Sequence, residues 1–217
     1  MSHSARRSVD LSEVEFAVVD VETTGSGRHG DDRLTEIAVV HVRGGEAHTA
    51  FEMLVNPQRP VSPFVERLTG ITWEDLHERP TFHDVAEQVF AAMEGRVFVA
   101  HNVKFDWRFL SSELQNAIGR PLQGQKLCTV KMARRLLPHL ARRNLDTLAW
   151  HYDVSIIGRH RAGGDARATA RVLQHLLTDA HRQGIDTMEH LTAYMRLPKP
   201  RPKWTAMPGP VTEERIA

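Results

Sequence analysis

The pattern of apolar and polar positions along the chain predicts an α/β domain built on five strands. Short apolar runs bounded by glycine, proline or polar residues are typical of buried strands. We predict strands in FAVVDVE, LTEIAVVHV, AHTAFEMLV, RVFVA and QKLCT. A short RGGE turn joins the second strand to the third, which favours an antiparallel meander of the first three strands.

Apolar residues at helical spacing lie mainly after the third strand. We predict helices in SPFVERLTG, FHDVAEQVFAAME, KFDWRFLSSELQNAIG, VKMARRLLP, NLDTLAWHYD and DARATARVLQHLLTDAHRQG. Gly95 and Gly119 follow two of these segments and are expected to end them. The order βββαβαβα, with helices between the later strands, predicts a mixed sheet covered by helices on both faces.

The C-terminal segment differs in kind from the rest of the chain. Five prolines fall within the fifteen residues RLPKPRPKWTAMPGP, which begin at residue 196, and such a segment favours polyproline II or disorder. It is either a tail or a docking strap that contacts phosphates or another chain. We therefore predict an N-terminal tail over residues 1–13, one domain over 14–184 and a Pro-rich extension over 185–217.

Composition narrows the class of protein. The 217 residues are 41% apolar, which suits one domain of ordinary size with a sizeable core. The first residues lack the apolar stretch of a secretory signal, and no run approaches the about 18 apolar residues of a membrane span. We expect a cytoplasmic protein without a membrane partner. The single cysteine, Cys128, excludes an internal disulfide and a zinc site of several thiolates, and we expect it to be a small core residue.

Charge is unevenly distributed although the formal net charge is only +1. Residues 10–100 hold 17 Asp and Glu against 7 Lys and Arg, whereas residues 126–171 hold 10 Lys and Arg against 3 Asp and Glu. This asymmetry fits a polyanion on one side and bound cations on the other, and it fits solvated helix faces equally well.

A glycine fingerprint follows the first strand. The segment GSGRHG, Gly25 to Gly30, matches the G-x-G-x-x-G pattern of dinucleotide-binding turns. That pattern requires a helix immediately afterwards to receive the pyrophosphate. Here the next residues, DDRLTEIAVVHV, read as loop and strand. We therefore expect no nicotinamide site.

Two carboxylates at the end of the first strand need a compensating charge. Asp20 and Glu22 are two residues apart, so their side chains share one face of a strand whose first residues are apolar. Neighbouring buried negative charges are costly unless a cation joins them. The pattern indicates a cation site.

Further ligands are expected at the edges of neighbouring elements. Asp106 lies in the opening turn of a predicted helix, where the helix dipole alone would favour an acid. Asp165 begins the stripe of Thr169, Val172 and Leu176 that should face the core, but Asp after Gly-Gly is also a good helix cap. His160, on the preceding loop, is either a site residue or an exposed loop histidine.

The segments DVETTG, HNVKFDWRFL and HRAGGDARAT resemble the three motifs of the DEDDh family of 3′ to 5′ exonucleases, which includes the proofreading (epsilon) subunit of bacterial DNA polymerase III. The connecting segments LTGITWEDL and ARRLLPHLARRNLDTLAWHY are similar as well. The resemblance covers about residues 14–178, and the motifs occur in the order of the family. It implies a ribonuclease H-like fold with a mixed five-stranded sheet flanked by helices.

The resemblance also implies roles for individual residues. Two divalent metal ions would be bound by Asp20, Glu22, Asp106 and Asp165, with His160 as the general base. The terminal nucleotide would contact Thr23, Thr24, Gly25, Leu68, Asn102 and Phe105. Oxygen ligands without thiolates favour Mg²⁺, with Mn²⁺ as a substitute. Two such ions about 4 Å apart can activate water, shield the phosphate and assist the leaving oxygen.

We predict a two-metal exonuclease that acts on the 3′ end of single-stranded nucleic acid, with DNA as the expected substrate, and releases nucleoside 5′-monophosphates. The alternatives are an RNA-trimming enzyme and a catalytically silent nucleic-acid-binding scaffold. Thr69 stands where many relatives have histidine, which puts one substrate contact in doubt. No glutamine-led clamp-binding motif follows residue 178, so a DNA polymerase or repair partner and a stand-alone enzyme both stay open. The sequence does not indicate an oligomeric state.

Overall fold

The computed structural model of the protein describes residues 9–25 and 31–198. Part of the predicted N-terminal tail, most of the GSGRHG segment and nearly all of the proline-rich segment lie outside the described residues. The tail-or-strap alternative for the C-terminal segment therefore stays a prediction.

A five-stranded mixed sheet forms the centre of the fold, as predicted. Its strands are β1 (Phe16–Thr23), β2 (Leu34–Arg43), β3 (Glu46–Leu54), β4 (Val97–Ala100) and β5 (Lys126–Cys128). Their order across the sheet is β3-β2-β1-β4-β5. The first three strands form the expected antiparallel meander, while β4 runs parallel to both β1 and β5.

The pairing of β1 opens a crevice at its carboxyl end. β1 pairs with β2 as far as Thr23, but its parallel pairing with β4 stops where Val18 lies opposite Val99. The last residues of β1 therefore have a strand neighbour on one side only. Crevices at the carboxyl ends of parallel strands are the usual binding sites of open α/β sheets.

Eight helices are present in the described part of the chain. They are α1 (Pro63–Thr69), α2 (Trp73–Leu76), α3 (Phe82–Met93), α4 (Lys104–Ile118), α5 (Thr129–Leu136), α6 (Leu145–His151), α7 (Ala162–Arg182) and α8 (Met188–Arg196). Two apolar clusters lie on opposite faces of β1: one includes Val18 and residues of α5 and α7, and the other includes Val19 and residues of α3 and α4. The predicted covering of both sheet faces is thus confirmed.

The longest helix, α7, begins three residues earlier than the sequence pattern predicted. It starts at Ala162, and Arg161 rather than Asp165 occupies the N-cap position. The expected apolar stripe is confirmed, because Thr169, Val172 and Leu176 are fully buried. Asp165 thus lies inside the first turn, buried against the sheet, and the capping alternative does not describe it.

The packed unit extends beyond both ends of the predicted 14–184 domain. Leu11 is buried in the same core as Ile185 and Leu191 of the C-terminal region. The backbone amide of Leu11 donates to the carbonyl of Asp186 at 2.8 Å. Helix α8, which the sequence analysis did not predict, packs its Leu191 into this core. These contacts join residues 9–13 and 185–196 to the domain.

Two further expectations concern local features. Cys128 is buried in the core, as expected. The segment after the glycine fingerprint is the strand β2 rather than a helix, so it lacks the helix N-terminus that a dinucleotide site requires. Within residues 9–25 and 31–198, no helix combines the length and the apolar character needed to cross a membrane.

Candidate active site

Three carboxylates converge at the carboxyl end of β1. Asp20 and Glu22 project from the strand, and Asp165 projects from the first turn of α7. One carboxylate oxygen from each lies within 4.8 Å of the others. The sequence analysis expected the first two to share a face from their i, i+2 spacing, and the family resemblance implied that Asp165 joins them. The third is added because α7 packs across β1.

Asp106 lies beside this group, and its charge raises the pKa of Asp20, but it is not one of the three whose oxygens all lie within 4.8 Å of one another. It is in the first turn of α4 and is only 4% exposed. Its carboxylate lies near the backbone amide of Val21, between Asp20 and Glu22, and this amide lowers the pKa of Asp106 against the larger effect of burial. The side chain thus faces the part of β1 that β4 leaves unpaired. A helix-dipole role alone would not require this contact with the sheet.

Burial raises the pKa values of all four carboxyl groups, and repulsion from neighbouring carboxylates raises those of Asp20 and Glu22 further. Removal from water is the largest cause in each case. The pKa of Asp20 lies well above its ordinary value, partly because of the charges of its three neighbours. The pKa of Glu22 rises to about 8 and that of Asp106 to about 7. Charges that repel in this way favour the binding of a cation.

The donor set fits a hard divalent cation. The four side chains offer only oxygen atoms, which suit Mg²⁺ and Mn²⁺. Oδ1 of Asp165 is buried and has no hydrogen-bond partner within the described residues. Buried polar atoms are usually paired, so an orphaned carboxylate oxygen beside two others is the feature that a metal ligand would show.

His160 is held next to Asp165 by a strained backbone. Its φ angle is +61°, in the left-handed region that side chains with a Cβ rarely adopt. Its backbone amide donates to Oδ2 of Asp165 at 3.3 Å. The side chain is partly buried, and Nδ1 lies 3.4 Å from Nη1 of Arg159. The structure therefore places this histidine at the carboxylate cluster rather than on a free loop.

Close packing of the preceding loop against α7 produces this placement. A Cβ atom at Gly164 would overlap the carbonyl oxygens of Ile157 and Gly158. Because Gly164 has no Cβ, the loop can turn back onto the helix within one residue of Asp165. The Gly-Gly pair that suggested a cap in the sequence instead permits a close approach.

Arg159 is a site residue that the sequence analysis did not identify. Its Nε and Nη2 donate to the two carboxylate oxygens of Asp146 at 2.8 and 3.2 Å. Its Nη1 donates to Oδ2 of Asp165. The positive charge lowers the pKa values of Asp20 and Glu22 against the larger effect of burial. A lone arginine beside a motif histidine gave no sequence signal of this role.

A second unpredicted contact fixes the start of α7. Glu36 lies opposite Glu22 on β2 and is 3% exposed. Its carboxylate accepts bonds from Nε and Nη2 of Arg161, the latter at 2.8 Å, and from the backbone amide of Ala162 at 2.8 Å. These charge-assisted bonds anchor the first turn of the helix that carries Asp165.

The residues expected to contact substrate lie around the end of β1. Thr23 and Thr24 are buried, and Oγ1 of Thr24 accepts a hydrogen bond from the backbone amide of Arg33 at 3.1 Å. The carbonyl of Thr24 accepts a bond from the amide of Ser62, the N-cap residue of α1. Helix α1 is thereby tied to the site, and it carries Leu68, whose side chain is 42% exposed.

The remaining predicted contacts occupy the turn between β4 and α4. Asn102 is exposed and has a φ angle of +76°, a second strained position of the kind that clusters at functional sites. The Phe105 ring is partly buried and packs on Phe109 with 4.8 Å between ring centroids. Gly25 ends the described part of the first loop. The substrate roles of these residues stay predictions.

Comparisons with known proteins agree with this arrangement. Residues 17–173 match the family model described as exonuclease, RNase_T. The chain is 33% identical over 183 residues to "DNA polymerase III PolC-type" of Caldanaerobacter subterraneus subsp. tengcongensis, covering 84% of this chain and 13% of that protein. It is 31% identical over 181 residues to "3′-5′ exonuclease DinG" of Bacillus subtilis, covering 83% of this chain and 19% of that protein.

A solved structure is similar over almost its whole length. "Exonuclease X in complex with 5′ overhanging duplex DNA" superimposes with a TM-score of 0.66 and 27% identity, covering 83% of this chain and 99% of that chain. The curated relatives are much longer, since this chain spans only 13% and 19% of the two compared. Sequence and fold thus give the same classification for this domain.

Proposed function

Since the chain belongs to the exonuclease (RNase_T) family and is of the DEDDh type, we propose that it is a 3′ to 5′ exonuclease. It would hydrolyse phosphodiester bonds at the 3′ end of single-stranded nucleic acid, with DNA as the expected substrate. The products would be nucleoside 5′-monophosphates. The observation that carries the proposal is the convergence of Asp20, Glu22 and Asp165 within 4.8 Å.

Four side chains would hold the metal ions that the family uses. They are Asp20, Glu22, Asp106 and Asp165, and their oxygen atoms suit two Mg²⁺ ions or Mn²⁺ as a substitute. The bound ions would supply an activated water and would shield the charge of the phosphate. The carboxylates, for their part, position the ions and are relieved of their mutual repulsion.

His160 would act as the general base. It lies at the carboxylate cluster, and its backbone amide is bonded to Asp165. Its imidazole would take the proton of the attacking water, a role that histidine fills most often in general base catalysis.

The 3′ end would be seated by the loop after β1 and by α1. Thr23, Thr24 and Gly25 would contact the terminal nucleotide through the backbone and the hydroxyl groups. Leu68 is exposed on α1 and would contact the last base, while Asn102 and Phe105 would line the opposite side.

The biological setting is a separate matter from the chemistry. One relative is named as a DNA polymerase and another as an exonuclease, so a replicative or repair partner is one possibility and independent action the other. The solved neighbour holds duplex DNA with a 5′ overhang, which presents a recessed 3′ end. The cytoplasmic location expected from the sequence stays a prediction.

The proposal is tested with labelled oligonucleotides in Mg²⁺. The substrates are a 3′-labelled single-stranded DNA, the same strand as RNA, a duplex with a recessed 3′ end and a circular single strand. We expect release of labelled mononucleotide from linear DNA and none from the circle. Asp20→Asn serves as the inactive control, because it removes a central ligand of the proposed metal site.

Other results would select other functions. Faster release from RNA would identify an RNA-trimming enzyme. Binding of the linear strand without release would identify a scaffold module. Cutting of the circle would contradict the requirement for a 3′ end, and release that is unchanged in Asp20→Asn would contradict the assigned site.

A further inference from the structure

The guanidinium of Arg159 lies within the carboxylate cluster and bridges two acids from different helices. Nε and Nη2 form a bidentate pair with Asp146 of α6, at 2.8 and 3.2 Å. The remaining nitrogen, Nη1, bonds to Oδ2 of Asp165 and lies 3.4 Å from Nδ1 of His160. One side chain thus contacts both a proposed metal ligand and the proposed base.

Among the residues that the structure describes, Arg159 is the cation that forms an ion pair with the carboxylate cluster. Within residues 9–25 and 31–198, no other Arg, Lys or His side chain forms an ion pair with Asp20, Glu22, Asp106 or Asp165. A metal ion that binds Oδ2 of Asp165, alone or together with the unpaired Oδ1, must displace Nη1 from Oδ2. The affinity for metal in this binding mode includes the loss of the ion pair, whereas binding at Oδ1 alone would leave the pair in place.

Asp146 determines what happens to the guanidinium after that loss. The two acids bind different edges of the planar fork, so release from Asp165 does not require release from Asp146. Asp146 is itself fixed in the first turn of α6, where the side chain of Asn144 caps the helix by accepting a bond from the amide of Thr147 at 3.1 Å. Nη1 would remain at the site with an unused donor.

We propose that Arg159 is a built-in cation with two partners: it pairs with Asp165 when metal is absent, and it binds a phosphate oxygen of the substrate when metal occupies Asp165. This inference rests on the proposed nuclease function. Asp146 is then a positioning residue that keeps the guanidinium in reach of the phosphate. Nη1 is suited to this exchange, because carboxylate and phosphate oxygens both accept charge-assisted bonds from a guanidinium nitrogen.

The first test measures metal binding in the absence of substrate. Mn²⁺ is titrated calorimetrically into the full chain and into Arg159→Gln, with Arg171→Gln as the control. Arg171 is exposed on α7 and its side chain donates to Gln174. Its replacement therefore removes one positive charge at a position outside the site. We expect Arg159→Gln to bind Mn²⁺ about fivefold more tightly, the effect of losing a competing ion pair of ordinary strength. The control should match the wild type.

The second test separates substrate binding from metal binding. At saturating Mn²⁺, Arg159→Gln should raise KM for a linear DNA strand by about tenfold, as expected for the loss of a charged phosphate contact. Asp146→Asn should raise KM as well but should not tighten Mn²⁺ binding, because its Arg159 can still pair with Asp165. Melting temperatures in Mn²⁺ show that each variant is folded. If Arg159→Gln fails to fold, Arg159→Met, which also removes the charge and keeps an unbranched side chain, replaces it in both tests.

The outcomes distinguish this inference from the proposed function. Equal Mn²⁺ affinities for the wild type and Arg159→Gln would overturn the competition, and an unchanged KM would overturn the phosphate contact. A wild-type chain that binds no Mn²⁺, or binds it as well after Asp20→Asn, would instead overturn the metal site itself. Tighter metal binding, a raised KM and the separate behaviour of Asp146→Asn would together support the inference.

Discussion

Replacing Glu22 by glutamine should stabilise the metal-free chain at pH 8 and have little effect at pH 5. Glu22 lies within 4.8 Å of two other carboxylates, oxygen to oxygen, and it faces Glu36 across the sheet. Glutamine has nearly the same shape and no charge. The substitution therefore removes the repulsion while it preserves the packing.

The size of the effect follows from the titration of the carboxyl group. Burial, and then the charges of Asp165 and Glu36, raise the pKa of Glu22 from 4.5 to about 8. An acid with a raised pKa in the folded state stabilises that state fully below its unfolded pKa, and the contribution is lost as the pH rises through the folded pKa. Each pKa unit corresponds to about 1.4 kcal/mol of the free energy of unfolding. Between acid pH and pH 8 the free energy of unfolding of the wild type should therefore fall by about 4 kcal/mol, and less than about 1 kcal/mol of this fall should occur below pH 5.

The measurement is urea unfolding of both proteins in EDTA at pH 5 and pH 8. At pH 8 the variant should be more stable by about 4 kcal/mol, or about 10 °C in melting temperature for a chain of this size. The difference between the two proteins cancels the titrations of groups outside the carboxylate cluster, including that of His101, whose pKa burial lowers to about 4. Glu13→Gln is the matched control on an exposed residue.

Saturating Mg²⁺ should reverse the order of the two proteins at pH 8, since the variant lacks a ligand. A stability difference that is the same at pH 5 and pH 8 would show that charge repulsion is not its cause. A variant that is less stable than the wild type in EDTA at pH 8 would refute the reasoning altogether.

Three further predictions concern the α7 side of the site. His160→Ala should lower turnover by about 10²- to 10⁴-fold. Its Mn²⁺ affinity, measured by calorimetry, should stay close to that of the wild type, and a loss of turnover below about tenfold would exclude the general-base role. Gly164→Ala should displace the loop at Gly158 and reduce kcat in single-turnover assays while the far-ultraviolet circular dichroism is unchanged, and full activity would show that the close approach is dispensable. Glu36→Gln should lower the melting temperature by about 5 to 10 °C because the buried bonds to Arg161 weaken, and an unchanged melting temperature would contradict the anchoring role.

The fold could be predicted largely because its strands carry strong local signals. The apolar runs of β1 and β4 and the short turn between β2 and β3 follow simple rules of periodicity and turn chemistry. The missed helix α8 has weaker signals: its apolar positions, Met188, Leu191 and Tyr194, form a short stripe directly before the prolines. Thr187 caps it by accepting a bond from His190, and a threonine before such a stripe is the signal that could have identified it.

The candidate site was only partly accessible from the sequence. The spacing of Asp20 and Glu22 alone indicated a cation site. For Asp106 and Asp165, the helix dipole and helix capping were equally good explanations, and only the family resemblance favoured a role in the site. Arg159 and Glu36 could not be identified, because their roles depend on contacts between distant segments: Arg159 with α6, and Glu36 with α7 across 125 positions of the chain. Such pairings arise from the tertiary fold and leave no pattern within one segment.

The proximity of the Asp106 carboxylate to the amide of Val21 makes one backbone proton sensitive to the state of the site. In most of a sheet, an amide proton exchanges with solvent only when strands separate. The amide of Val21 faces a side-chain carboxylate, so protonation of Asp106 or its engagement by a cation changes the surroundings of this amide while the sheet stays intact. In amide hydrogen exchange followed by NMR, the exchange rate and chemical shift of Val21 should therefore report the charge state of the cluster separately from global unfolding.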